Sequence, residues 1–184
     1  RDGERAVISV GHTIARKGLP EFLELAVRMP DVRFLWFGWT DPCLIPQEVR
    51  QAMEQAPENV TFAGFVDRET LREAYCGADV FAFMSHEETE GIVVLEALAC
   101  GIPTVVRDIP VYAGWLRDGK NVYKADSTEA FRQRVTGLLD GALPDLTEAG
   151  RRVADERSMA AMGEQLREIS RRMDILPAAR PAHP

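Results

Sequence analysis

Val80-Phe81-Ala82-Phe83-Met84-Ser85-His86-Glu87-Glu88-Thr89-Glu90-Gly91-Ile92-Val93-Val94-Leu95-Glu96-Ala97-Leu98-Ala99-Cys100-Gly101 is the stretch whose reading decides the fold. A strand-like run, Val80–Met84, stops at a cluster of carboxylates; a glycine follows, and an almost wholly apolar helix begins. Inside that helix stands one charge, Glu96, eight positions after Glu88. A charge buried in an apolar helix needs a partner or shifts its pKa, and a polyhydroxy ligand lying over the helix start would supply one.

The same strand-then-helix unit recurs outward from this stretch. Towards the N-terminus, Ala6–Val10 reads as a strand ending at Gly11, and Leu19, Phe22, Leu23 and Ala26 recur at the spacing of one helix face. Val32–Phe37 is a strand ending at Gly38, with Phe34, Trp36 and Phe37 read as core. Pro46–Ala56 is a more polar helix, Val60–Val66 a strand, and Leu71, Ala74, Tyr75 and Ala78 repeat the helical spacing. Towards the C-terminus, Pro103–Val106 and Asn121–Lys124 read as strands, and Phe131, Val135 and Leu138 mark a helix. Strict alternation with short connections implies right-handed βαβ units and a parallel sheet covered on both faces. The expected fold is therefore α/β, a doubly wound, Rossmann-like parallel sheet of about six strands. Ala149–Arg157 follows as a polar helix. Met159, Met162, Leu166, Ile169 and Met173 then form a narrow apolar stripe on a charged C-terminal helix, read as docking either on this domain or on a part of the protein outside this chain.

The 184 residues suffice for one domain with a real core, and 46% hydrophobic and 28% charged residues are globular values. Residues 1–175 are read as that domain, and the Pro/Ala-rich residues 176–184 as a disordered tail. A net charge of −7 argues against nucleic acid as a partner. No apolar run reaches the ~18 residues of a membrane span, and none of the chain reads as a signal peptide. Cys43, Cys76 and Cys100 show no zinc-type or redox spacing and read as small buried hydrophobes in a reducing compartment. The chain opens at Arg1 and reaches a strand within five residues, from which we expect a piece of a longer polypeptide whose other part holds some of the active site.

Ligands of an open parallel sheet sit beyond the carboxyl ends of its strands. Three segments converge there: Gly11–Gly18 with Arg16 and Lys17, Gly64-Phe65-Val66, and Ser85–Gly91. A helix starting at Gly91 offers free N–H groups to a phosphate, and Arg16 and Lys17 would neutralise a diphosphate. Glu96, five residues and so ~7.5 Å further along the axis, is at ribose distance and can accept from two vicinal hydroxyls. Glu88 would face the other end of the diphosphate, where a sugar would lie. Each feature has a plainer reading. Glu87, Glu88 and Glu90 could complement the helix dipole. Arg16 and Lys17 could be a solvated loop pair, Glu96 could pair with Arg107 or another cation, and His12 and His86 read as structural or edge-of-site residues. Because three glutamates repel an anion, the backbone of Gly91–Val93 rather than the carboxylates is expected to meet phosphate. No metal constellation is present in the sequence, and no cofactor is expected.

Ser85-x-x-Glu88-x-x-Gly91-x-Val93-x-Leu95-Glu96-Ala97-Leu98-Ala99-x-Gly101-x-Pro103 resembles the signature of the family 4 retaining glycosyltransferases. Val10-Gly11 with Lys17-Gly18 resembles that family's phosphate loop, and Asn59-Val60-x-Phe62-x-Gly64-Phe65-Val66 its base-contacting strand end; the likeness spans about residues 6 to 158. The resemblance implies the C-terminal, donor-binding domain of a two-domain GT-B enzyme, with the acceptor bound mostly by an N-terminal domain outside this chain. It implies Lys17, Arg16 and Glu88 as the catalytic set: Lys17 on the diphosphate, Arg16 standing in where the family's arginine is replaced by His12, and Glu88 on the transferred sugar. Glu96 would hold the ribose, the backbone of Glu90, Gly91, Ile92 and Val93 the sugar and phosphate, and Gly64, Phe65 and Val66 the base. Gly11, His12, Ser85 and Thr89 complete the implied substrate-binding set.

Glu88–Glu96, Arg107-Asp108-Ile109-Pro110-Val111-Tyr112 and Asn121-Val122-Tyr123 further resemble the bacterial 1,2-diacylglycerol 3-α-glucosyltransferases. That narrower likeness implies UDP-glucose as donor, a membrane lipid as acceptor, and a cytoplasmic enzyme peripheral on the inner face of the membrane. Met84 replaces a usual proline, and Arg107–Tyr112 replaces the family's Gly-Gly…Glu, so sugar or acceptor selection differs there. Two other functions fit the residues less well: glycoside hydrolysis by the Glu88/Glu96 pair, and a nucleotide-binding or interaction module without transferase activity.

Overall fold

A computed structural model describes residues 3–172. Six strands are built: β1 (Ala6–Val10), β2 (Arg33–Phe37), β3 (Val60–Gly64), β4 (Val80–Phe83), β5 (Thr104–Arg107) and β6 (Tyr123–Ala125). They form one all-parallel sheet in the order β3-β2-β1-β4-β5-β6. The order reverses between β1 and β4, and this switch point opens a crevice at the carboxyl edge.

Seven helices lie between and after the strands: α1 (Leu19–Val27), α2 (Gln47–Glu54), α3 (Arg68–Gly77), α4 (Ile92–Cys100), α5 (Thr128–Leu139), α6 (Thr147–Glu156) and α7 (Met159–Arg172). Two apolar cores show why the strands are apolar on both faces. One joins Val7, Phe34, Trp36, Val80 and Val105 of the sheet to Phe22 of α1, Val49 of α2 and Phe131 of α5. The other joins Ile8, Phe37, Phe81 and Val106 to Tyr75 of α3, Leu98 of α4 and Ala154 of α6. Side-chain caps start three of the helices: Asp67 accepts from the Thr70 N–H at 2.8 Å, Ser127 from the Ala130 N–H at 3.3 Å and Ser158 from the Ala161 N–H at 3.2 Å. Asn59, at the mouth of β3, has its amide nitrogen 3.1, 3.0 and 2.8 Å from the carbonyl oxygens of Ala26, Met29 and Val32. It thereby ties the end of α1 and the turn into β2 to the sheet.

Two expectations need correction, and of the two alternatives for the α7 stripe one is removed. The cysteines are not buried: Cys43 and Cys76 are exposed and Cys100 is half-buried. Cys43 sits in a surface turn, and Cys76 and Cys100 at the outer ends of α3 and α4 lie within hydrogen-bonding reach of each other. Glu96 is not a buried charge. It lies on the exposed strip of α4 that also carries Ile92 and Ala99, the one face of that helix left uncovered by its neighbours. The apolar stripe of α7 does not pack on the described residues, since Met159, Met162, Leu166 and Ile169 are 46–90% exposed. Met173 and residues 176–184, on which the rest of that stripe and the tail expectation fall, lie outside the described residues. No helix among the described residues is long and apolar enough to cross a membrane.

Candidate functional site

The crevice at the β1/β4 switch point is a cleft of about 390 Å³, within the range of small-ligand sites. Its walls come from the loops after β1, β2, β3 and β4 and from the start of α4. Of the residues predicted from sequence, Gly11, His12, Lys17 and Phe65 line it, as do Glu88, Thr89, Glu90, Gly91, Ile92 and Val93. Arg16, Gly64, Val66, Ser85 and Glu96 do not line it.

The loop after β1 closes in a 3-10 turn, Ala15–Lys17, followed by Gly18 at φ +80°. A Cβ at Gly18 would stand 2.3 Å from the carbonyl oxygen of Met84, so this backbone can press against the end of β4 only as glycine. The two loops are then laced together. The His86 N–H donates to the Arg16 carbonyl at 2.9 Å, and the Ser85 hydroxyl, fully buried, lies 3.1 Å from the Glu87 carbonyl and 3.4 Å from that of Arg16. Ser85 thus holds the loop together.

This lacing places Lys17 against Glu88. The ammonium and carboxylate are 2.6 Å apart, and their side chains are only 15% and 10% exposed. Arg16 turns outward, half-exposed, to the Glu87 carbonyl at 3.5 Å and its carboxylate at 3.9 Å. His86 leaves the cleft to pair with Glu21, whereas His12 stays at the cleft wall with Nδ1 3.1 Å from the Trp39 carbonyl.

Gly91 caps α4 at φ +81°, and no side chain caps this helix start. The first N–H groups of a helix lack partners within it, so α4 presents donors and the positive end of its dipole to the cleft. Five residues further on, Glu96 lies near the Tyr75 hydroxyl, which donates to the Val93 carbonyl at 3.3 Å. Desolvation by its surroundings raises the Glu96 pKa, opposed by the nearby Arg68 charge and the neighbouring Tyr75 hydroxyl. Arg107 is not its partner. That guanidinium is buried and bonds the carbonyls of Met84 at 2.8 Å and Asp126 at 3.2 Å, with the Glu21 carboxylate at 3.5 Å. Glu88 and Glu96 therefore do not face each other across one cleft, as a hydrolytic pair of carboxylates would.

Val66, half-buried, packs against the edge of the second apolar core. The strand predicted to run to Val66 ends at Gly64, leaving Phe65, 84% exposed, to project over the cleft. One aromatic wall residue was missed. Trp39, 56% exposed, lines the cleft beside His12. Its signal was its place just past Gly38, where a large apolar residue has left the buried strand. Among the described residues, no group of three or more His, Cys, Asp or Glu side chains is placed to hold a metal ion.

Comparison with known proteins identifies the family and the fold. The chain is 38% identical over 165 residues to the processive diacylglycerol alpha-glucosyltransferase of Acholeplasma laidlawii, covering 90% of this chain and 50% of that protein. The chain thus spans about half the length of this relative. Among solved structures, sucrose-phosphate synthase from Thermosynechococcus elongatus superposes with a TM-score of 0.83 at 22% identity, over 95% of this chain and 47% of that one. Anabaena HepE, solved with UDP-glucose, superposes with a TM-score of 0.78 at 18% identity, over 91% of this chain and 48% of its own. Residues 1–154 match the family described as glycosyl transferases group 1, and the chain belongs to that family.

Proposed function

We propose that this chain is the donor-binding half of a retaining hexosyltransferase that moves glucose from UDP-glucose to an acceptor hydroxyl, with diacylglycerol as the acceptor. The observation that carries this reading is the meeting, in one cleft, of a lysine, an uncapped helix start and a carboxylate. The nature of the relative from Acholeplasma laidlawii and the UDP-glucose bound to Anabaena HepE support the choice of acceptor and donor.

In this reading the diphosphate sits over Gly91–Val93 and draws Lys17 to itself. Negative charge grows on the departing diphosphate as the glycosidic bond breaks, and Lys17, the α4 dipole and, after rotation, Arg16 stabilise it. Glu88 accepts hydroxyls of the transferred sugar. Glu96, on the exposed strip of α4, takes the ribose hydroxyls, and Phe65 with Trp39 borders the base. The acceptor is held by a second, N-terminal domain of the same polypeptide, so the chain alone binds donor with little or no turnover. The whole enzyme works at the cytoplasmic face of a membrane, where its lipid acceptor lies.

Calorimetry with UDP-glucose, GDP-mannose and ADP-glucose tests the reading. We expect UDP-glucose to bind and the other two to bind at least tenfold more weakly, and Glu88→Ala to weaken UDP-glucose more than UDP. Binding of none of these nucleotides, or equal weakening of UDP and UDP-glucose by Glu88→Ala, would overturn it.

A further inference from the structure

Tyr112 ends the 3-10 turn Pro110–Tyr112 after β5, is wholly buried, and has a hydroxyl without a hydrogen-bond partner. Buried hydroxyls are rarely left this way, because the lost water is not replaced. The ring cannot swing aside to find one: it packs edge-to-face on Trp115 at 5.5 Å between centroids. The hydroxyl is aimed at the turn between Glu88 and α4. A Cβ on Gly91 would stand 2.6 Å from it, so the phenol touches the glycine that starts the helix. Burial, and after it the Glu88 charge, disfavour the phenolate, so the hydroxyl keeps its proton and stands within the field of that carboxylate.

Glu88 is meanwhile engaged by Lys17. A diphosphate that claims Lys17 leaves the Glu88 carboxylate, itself only 10% exposed, short of donors. Sugar hydroxyls can supply them from the open side. On the inner side, Tyr112 is a buried hydroxyl without a partner that lies against the turn leading from Glu88 to α4 and within reach of the Glu88 charge.

We propose that Tyr112 is a positioning residue for Glu88: when the donor's diphosphate takes Lys17, the Tyr112 hydroxyl donates to the Glu88 carboxylate and holds it towards the sugar. The inference rests on the donor reading given above. The new bond has a charged acceptor, the stronger kind, and it breaks no existing bond of the phenol. With UDP alone, Glu88 released by Lys17 can turn to the water that stands where the sugar would be, so the loss of the Tyr112 bond falls on binding of a donor whose sugar displaces that water and needs Glu88 held in place.

Tyr112→Phe removes one oxygen and keeps the ring on Trp115. Calorimetry on the 184-residue chain, with UDP and UDP-glucose, is run for the parent, Tyr112→Phe, Glu88→Gln and the double variant. Tyr112→Phe should bind UDP as the parent does and UDP-glucose about 5–20-fold more weakly. It should melt no lower than the parent, because an unpaired buried hydroxyl is gone. The double variant should bind UDP-glucose no worse than Glu88→Gln alone. A merely structural tyrosine would weaken both ligands together and lower the melting temperature, and that result overturns the inference, as does a parental UDP-glucose to UDP ratio in Tyr112→Phe. If Glu88→Gln also leaves that ratio unchanged, the sugar-contact reading of Glu88 falls first. If Glu88→Gln shifts it and Tyr112→Phe does not, only the role of Tyr112 falls.

Discussion

Lys17→Met would leave Glu88 without a counter-ion in the unliganded chain. The magnitude follows from burial. Exposed ion pairs are worth about 0–1 kcal/mol, and stranding one member of a buried pair costs about 3–5 kcal/mol. With side chains 15% and 10% exposed and a 2.6 Å contact, this pair lies nearer the buried limit, so Lys17→Met should cost about 2–4 kcal/mol. Glu88→Gln should cost less, about 1–2 kcal/mol, because the lysine left behind can carry its ammonium out along a flexible stem. Making both residues neutral removes the stranded charge. The double variant Lys17→Met/Glu88→Gln should return to within about 1 kcal/mol of the parent, a coupling of about 2–6 kcal/mol. At about 2–4 °C per kcal/mol for a chain of this size, Lys17→Met should melt about 4–16 °C below the parent. Urea unfolding with matched slopes and thermal melts give the four corners of the cycle. Raising the salt should change the coupling little, because the pair is shielded from counter-ions. The reasoning is refuted if the double variant is as unstable as Lys17→Met, or if Lys17→Met unfolds within about 0.5 kcal/mol of the parent. The pair would then hold no energy for a diphosphate to redirect, and the partner exchange at Glu88 would lose its first step.

Asn59→Ala should destabilise the chain by about 1–3 kcal/mol without weakening UDP binding, because two amide hydrogens are shared among the carbonyls of Ala26, Met29 and Val32, far from the cleft; a matched loss of UDP affinity in calorimetry would instead make Asn59 part of the site. Glu96→Gln tests the ribose contact against stability. The folded-state pKa of Glu96 is raised from 4.5, chiefly by desolvation, so its destabilising effect is absent at low pH and develops as pH rises through the ordinary carboxylate range. The variant should therefore melt above the parent at neutral pH and level with it below about pH 4, while binding UDP roughly tenfold more weakly. Coincident melts across that whole range would contradict the desolvation argument.

Much of the architecture could be read from local pattern. The runs Ala6–Val10, Val32–Phe37 and Val80–Met84 are apolar at nearly every position, Ser9 and Arg33 apart, because the sheet is covered on both faces, and each became a strand to within one residue. The helices at Leu19, Leu71 and Phe131 were visible because their apolar faces repeat at the helical spacing. The strand predicted to reach Val66 stops at Gly64 because its partner, β2, ends at Phe37 and offers no further ladder. The three segments expected at the carboxyl edge do meet there, since alternation with short connections forces every strand end to the same side. Individual side chains were less legible. Val66 turns against the edge of the core and Arg16 out to Glu87, choices made by neighbours that spacing does not reveal.

Composition misled where it stood in for burial. Glu96 within an apolar helix suggested an interior charge, but α4 is covered by α3, α6 and the sheet on every side except the strip it shares with Ile92. The cysteines suggested core hydrophobes, yet they fall on helix ends and a surface turn. By itself the sequence determined the strand–helix alternation, the parallel sheet and the edge on which a ligand would lie. These follow from short-range periodicity and chain connectivity. Only the tertiary structure decided that β1 lies beside β4, that Lys17 is held by a carboxylate 71 residues away, and that Tyr112 waits beneath Gly91 without a partner. Pairings of that kind depend on which surfaces pack together, and no local pattern carries that information.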